Sequence, residues 1–269
     1  MMNDAQIEKI DHFLETSTTK VSIAYLNQLI HQYVYKVPFE NINVQNKVPI
    51  ATDEDDLFNK IVVEGRGGYC YEMNTFFKSY ITAKGFTAYN VAATIKTPKG
   101  WTRKGTHMTT IVEINNRQYV ADVGFGDFAD QAVPISTDEH SEAIHANTGT
   151  FRAVYVDDTR IAAQKLKDNE WDTVYEADVT PRKLEDFEEH MEYNQHNEDS
   201  IFVKQLLITM PKSYGRATMN SNKLTLTKHG KKITVPVNKD NYKALLKDYF
   251  NLNTTIKPIE EKEIQHDRL

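Results

Sequence analysis

Gly65-Arg66-Gly67-Gly68-Tyr69-Cys70-Tyr71-Glu72-Met73-Asn74 holds the one cysteine in a chain of 269 residues. Three glycines stand in the five positions before it. Apolar residues then recur at Tyr69, Met73, Phe76, Phe77, Tyr80 and Ile81, at spacings of three and four. That period predicts a helix over about 70–84, closed by Gly85. The thiol therefore stands where a permissive glycine loop enters a helix. A helix N-terminus favours a thiolate, and its free amides suit an oxyanion. Free cysteine is also among the most buried residue types. The stretch by itself leaves two readings open, a buried small hydrophobe and a nucleophile.

Upstream, Ile7, Ile10, Phe13 and Leu14 predict an amphipathic helix over 4–16, and Ile23, Leu26, Leu29, Ile30, Tyr33 and Val34 predict another over 22–35, stopped by Pro38. An irregular segment follows from Phe39. A third helix is expected from Thr52, with acidic residues 53–56 at its positive end and Leu57, Phe58, Ile61 and Val62 on its apolar face. The texture changes after residue 85. Residues 86–95, 106–114 and 118–123 read as strands, with Asn115-Asn116 as a turn between the last two. Further strands are expected at 150–156, 159–166, 171–177, 201–209 and 223–236. Helices are expected at 182–187 and 242–250. The tail 260–269 is charged and reads as frayed or solvated.

Hydrophobic residues make up 40% of the chain and charged residues 26%, enough for an ordinary globular core. The net charge of −6 argues against nucleic acid or an anionic membrane as the main partner. A single cysteine excludes an intrachain disulfide. No secretory signal pattern and no apolar run of spanning length occurs, so a cytoplasmic protein is expected.

A nucleophilic thiol needs a base. Among nine histidines, His107 opens the strand that runs to Ile114, and Asp122 ends the next strand. With a two-residue turn at Asn115-Asn116, Ile114 faces Arg117 and Thr109 faces Asp122. His107 and Asp122 are then diagonal neighbours on one face, about 7–8 Å apart at the backbone. A slip of one residue would put them on opposite faces. Arg66 and Glu72 are candidates for a pair bracing the loop. The basic runs 96–104 and 228–232 read as solvated loops or as contacts for phosphates. His190 and His196 lack metal-site spacing, and no metal is expected.

Residues 66–74 resemble the nucleophile motif of the arylamine N-acetyltransferases. Val37-Pro38-Phe39-Glu40-Asn41 is similar to that family's upstream segment. Thr106-His107-Met108 and Ala121-Asp122-Val123-Gly124-Phe125-Gly126 resemble its histidine and aspartate motifs. Weaker similarity runs through 171–175 and 194–202, so about residues 5–250 are covered in order. The resemblance implies an α+β fold with an N-terminal helical bundle (1–85), a central antiparallel β-barrel (86–190) and a C-terminal α/β lid (191–269). It implies a Cys70, His107 and Asp122 triad, with Phe39, Phe125 and Phe202 lining the acceptor pocket and Gly124 and Gly126 admitting the pantetheine arm. The implied reaction is acetyl transfer from acetyl-CoA to an arylamine or arylhydrazine by a ping-pong route through acetyl-cysteine. The same triad order also serves a thiol hydrolase or transglutaminase-like enzyme, or an amide synthase using a carrier-bound acyl donor.

Overall fold

The computed structural model describes residues 2–261. Helix α1 (Asp4–Leu14) starts at Asn3, whose side chain accepts from the Gln6 N–H in a reciprocal capping box, and ends at Glu15 in the left-handed region. Ser22 caps α2 (Ile23–Lys36). Strand β1 (Phe39–Glu40) and the short α3 (Ile42–Gln45) follow. Asp53 caps α4 (Glu54–Phe58), which widens into a π-turn over Asn59–Val63. Helix α5 (Cys70–Ala83) is buried on nearly every side through its first two turns, where even Glu72 and Asn74 are inside. A helix buried all round lies at the centre of a core, which accounts for its aromatic richness.

The strands begin with β2 (Thr87–Thr97), β3 (Gly100–Trp101), β4 (His107–Ile114) and β5 (Arg117–Val120). They continue with β6 (Val133–Ser136), β7 (Ile144–Ala146), β8 (Gly149–Tyr155), β9 (Arg160–Lys167) and β10 (Glu170–Asp178). The order β2-β4-β5-β6-β8-β9-β10 closes on itself because β10 also pairs with β2. Closure leaves no free edge around the barrel. Its interior holds Val91, Ile111, Val133, Phe151, Ile161 and Tyr175. The pairs are antiparallel except β6–β8. A parallel pair needs a crossover of about a dozen residues, and residues 137–148 supply it.

After a 3-10 turn at Leu184–Phe187 come α6 (Glu188–His196) and α7 (Ile201–Lys204). Strands β11 (Ile208–Lys212), β12 (Gly215–Met219), β13 (Lys223–Lys228) and β14 (Lys231–Pro236) form a second sheet with β1, covered by α8 (Tyr242–Phe250) and α9 (Lys257–Glu261).

Of the strand expected over 201–209, only residues 208 and 209 are extended into β11. Ser200 caps a single helical turn by accepting from the Phe202 N–H, so residues 201–204 coil before β11 begins. A local cap overrides β-branched propensity there. The run 223–236 is a hairpin rather than one strand, with His229 and Gly230 both at positive φ in its turn. The third helix begins one residue beyond its cap Asp53, not at Thr52. Glu260 is tied to α8 by Tyr242 Oη at 2.5 Å and Lys243 Nζ at 3.1 Å; the rest of the tail, 262–269, lies outside the described residues.

Candidate active site

The hairpin of β4 and β5 sets the first two elements of the site. Asn115 and Asn116 lie at φ 51° and 60°, the twist of a tight two-residue turn. Ile114 therefore faces Arg117, and the ladder runs to Ile111 opposite Val120. The Ala121 N–H then bonds to the Thr110 carbonyl at 2.9 Å. In this register His107 Nε2 and Asp122 Oδ2 meet at 2.8 Å, both buried.

The third element comes from α5. Gly124 has no room for a side chain: a Cβ there would lie 2.8 Å from Cys70 Cα and 2.5 Å from Asn74 Nδ2. The aspartate loop thus presses directly on the first turn of α5. Gly67 has the same role on the other side, since its Cβ would overlap the Pro38 carbonyl oxygen at 1.8 Å. The first approach holds Cys70 against the aspartate loop and the second holds the glycine loop against the segment before β1, with Cys70 reached only through the cavity it lines.

Cys70 and His107 line one cavity of about 270 Å³, walled by Phe39, Phe125 and Phe202. Phe125 meets the His107 ring edge-on at 5.3 Å, and Phe202 lies 6.1 Å from Phe39. Gly124 also lines this cavity. Gly126 does not; it borders a smaller void behind Phe39.

Burial opposes a charged ring at His107. The Asp122 carboxylate outweighs it by charge and hydrogen bond, with a further contribution from Cys70, and the pKa of His107 is pushed up to about 10. Burial likewise opposes charge on Asp122, but His107, the Asn74 amide and the Gly124 N–H hold its carboxyl below the ordinary value. Both shifts favour the imidazolium–carboxylate form of the pair.

Asn74 stands one turn after Cys70 on the same face of α5. Its Nδ2 donates to Asp122 Oδ1 at 3.1 Å and to the Met108 carbonyl at 2.8 Å. Its Oδ1 accepts from the Val123 N–H and from Thr110 Oγ1. The residue pattern assigned Asn74 no role, although its spacing of four from Cys70 was a usable signal. Tyr175 was missed as well: its ring lies 5.2 Å from His107 and its hydroxyl 3.3 Å from Thr109 Oγ1.

Arg66 and Glu72 do not pair with each other. Arg66 forks onto Glu40 of β1, while Glu72 takes Lys60 Nζ at 2.6 Å and the Ala51 N–H at 3.0 Å. The glycines between Arg66 and the helix let the two side chains part to different neighbours. Of the basic runs, residues 228–232 form the exposed tip of the β13–β14 hairpin, and Arg103 of the other reaches the cavity and stacks over Tyr193. Among the described residues no group of three or more histidine, cysteine or acidic side chains is placed to hold a metal. No described helix is long and apolar enough to cross a membrane.

A family model described as N-acetyltransferase matches residues 22–259. The chain is similar to arylamine N-acetyltransferase 2 of Mesocricetus auratus, 26% identical over 219 residues covering 75% of each chain. The chain belongs to the arylamine N-acetyltransferase family. It is thus an acyltransferase. It is also similar to an arylamine N-acetyltransferase from Bacillus cereus, with 26% identity and a TM-score of 0.85 over 94% of this chain and 100% of that one. That structure is described as having a unique Cys-His-Glu catalytic triad. In the arylamine N-acetyltransferase described here, the carboxylate on the histidine is an aspartate, Asp122. The fold is shared too with a Mycobacterium marinum arylamine N-acetyltransferase in complex with CoA, 20% identical, with a TM-score of 0.83 over 92% of this chain and 93% of that one.

Proposed function

We propose that this chain transfers an acetyl group from acetyl-CoA to an arylamine or arylhydrazine through an acetyl-Cys70 intermediate. The observation that carries this is the ion pair of His107 and Asp122 set beside Cys70 in a cavity with phenylalanine walls. Cys70 attacks the thioester carbonyl as a thiolate, its proton held on His107. The carbonyl oxygen takes the negative charge. First-turn N–H groups of α5, which have no partner within a helix, face that charge. Collapse breaks the carbon–sulfur bond to CoA, and the leaving thiolate takes the proton from His107. The amine then attacks acetyl-Cys70, His107 accepts its proton, and the thiolate is released with the amide product. Both half-reactions use one site, so the kinetics are ping-pong.

Phe39, Phe125 and Phe202 hold the aromatic acceptor, and the pantetheine thioester passes the backbone of Gly124 beside Cys70. The donor class is supported by the CoA complex of the Mycobacterium marinum relative and the acceptor class by the names of the relatives. The reaction is tested by incubating the protein with acetyl-CoA alone. Mass spectrometry is expected to show one acetyl group on Cys70, and double-reciprocal plots to be parallel. Cys70→Ala is expected to keep the fold and lose all turnover. Intersecting plots with an unmodified Cys70 would overturn the reading.

A further inference from the structure

Arg216 of β12 is an arginine with 12% of its side chain exposed, outside the catalytic group. Its Nη1 donates to the Gly126 carbonyl and, at 3.1 Å, to Thr209 Oγ1. Its Nη2 stands 3.2 Å from Asp127 Oδ1. Each partner is next to a cavity wall. Gly126 and Asp127 follow Phe125 in the loop after the aspartate. Thr209 is the cross-strand partner of Phe39. One planar guanidinium therefore ties the Phe125 loop to the strand pair that carries Phe39.

We propose that Arg216 is a positioning residue that sets the spacing of Phe125 and Phe39, and through it the fit of the aromatic acceptor. The proposal rests on the reading of the cavity as the acceptor site. A buried ion is a poor way to gain stability, because desolvation offsets most of the attraction. A fork with fixed donor directions is, in contrast, a good way to hold a loop in one place. His107 depends on this brace only through its ring contact with Phe125, since its hydrogen bond to Asp122 and its contact with Tyr175 do not involve Arg216. Loosening the loop thus alters acceptor binding more than attack on the thioester.

The test measures the two half-reactions separately. CoA release without acceptor reports acetylation of Cys70, and decay of acetyl-Cys70 against acceptor concentration reports the second step. Arg216→Met is expected to raise the acceptor KM about tenfold while the acetylation rate stays within about twofold. Arg216→Lys keeps the charge and a donor but not the fork, and is expected to recover part of the loss. Asp127→Asn, at a half-exposed residue, should shift KM in the same direction by less, and it serves where Arg216→Met fails to fold. In a Phe125→Leu background, Arg216→Met should add no further rise. An unchanged acceptor KM would overturn the proposal, as would a parallel fall of both half-reactions and the melting temperature without rescue by lysine. Failure of the wild-type protein to release CoA would instead strike the underlying reading, and it is seen before any variant is compared.

Discussion

Asn74 does for Asp122 what Asp122 does for His107: it fixes the carboxylate that fixes the ring. All four hydrogen-bonding positions of its amide are used. Asn74→Ala leaves buried groups unpaired, with an expected loss of about 1–3 kcal/mol in urea unfolding. Turnover should fall with it, because Asp122 is freed to rotate. The charge state of the pair makes a second expectation. His107 titrates at about 10 in the fold against 6.5 for the free ring. A folded pKa above the unfolded one stabilises fully below the unfolded value and is lost as pH rises through the folded value. The stability advantage of wild type over His107→Gln should therefore shrink between about pH 6.5 and 10. Asp122 is shifted the other way, and its contribution is lost as pH falls through its depressed value. Urea midpoints for the two proteins between pH 6.5 and 10 check the first limb, and midpoints taken below pH 3.8 check the second.

At the scale of elements, the site is the junction of one helix with one hairpin. The spacing of apolar residues makes α5, and the left-handed Asn115-Asn116 turn sets the register of β4 with β5. Neither element alone places a thiol beside a histidine. The contact of Gly124 with Cys70 Cα does so. Gly124→Ala must push the two elements apart, and about 1–3 kcal/mol of destabilisation is expected, as for overpacking. Acetylation of Cys70 should suffer more than binding of the acceptor. A crystal structure or a stopped-flow measurement of CoA release distinguishes this from simple loss of fold.

At the scale of the molecule, the C-terminal sheet is fastened to the N-terminal third by residues far apart in sequence. Asn41 donates to the Phe202 and Gln205 carbonyls, each at 2.9 Å, and accepts from the Leu207 N–H at 2.7 Å. Strand β1 adds to β11, with Phe39 opposite Thr209. Phe39 and Phe202 thus owe their positions to contacts between distant segments. Asn41→Ala removes three hydrogen bonds at once, and a loss of about 2–4 kcal/mol is expected in urea unfolding. The acceptor KM should rise, since Phe202 is released from the wall.

Local pattern was enough for the long helices, the first barrel hairpin and the pairing of His107 with Asp122. Each depends on periodicity or on a two-residue turn, which neighbours in the chain decide. The motif resemblance extended this to Cys70 and to the three phenylalanines. Other features were illegible because distant atoms decide them. The closure of β10 on β2, the parallel β6–β8 pair and the partners of Arg66 and Glu72 all belong here. Sequence alone picked out Cys70, His107 and Asp122 and the elements on which they lie. Packing of distant segments decided that Asn74 bonds to Asp122, that Tyr175 lies against His107 and that Arg216 joins Gly126 to Thr209, because a buried polar group takes whichever partner the packed chain brings within reach.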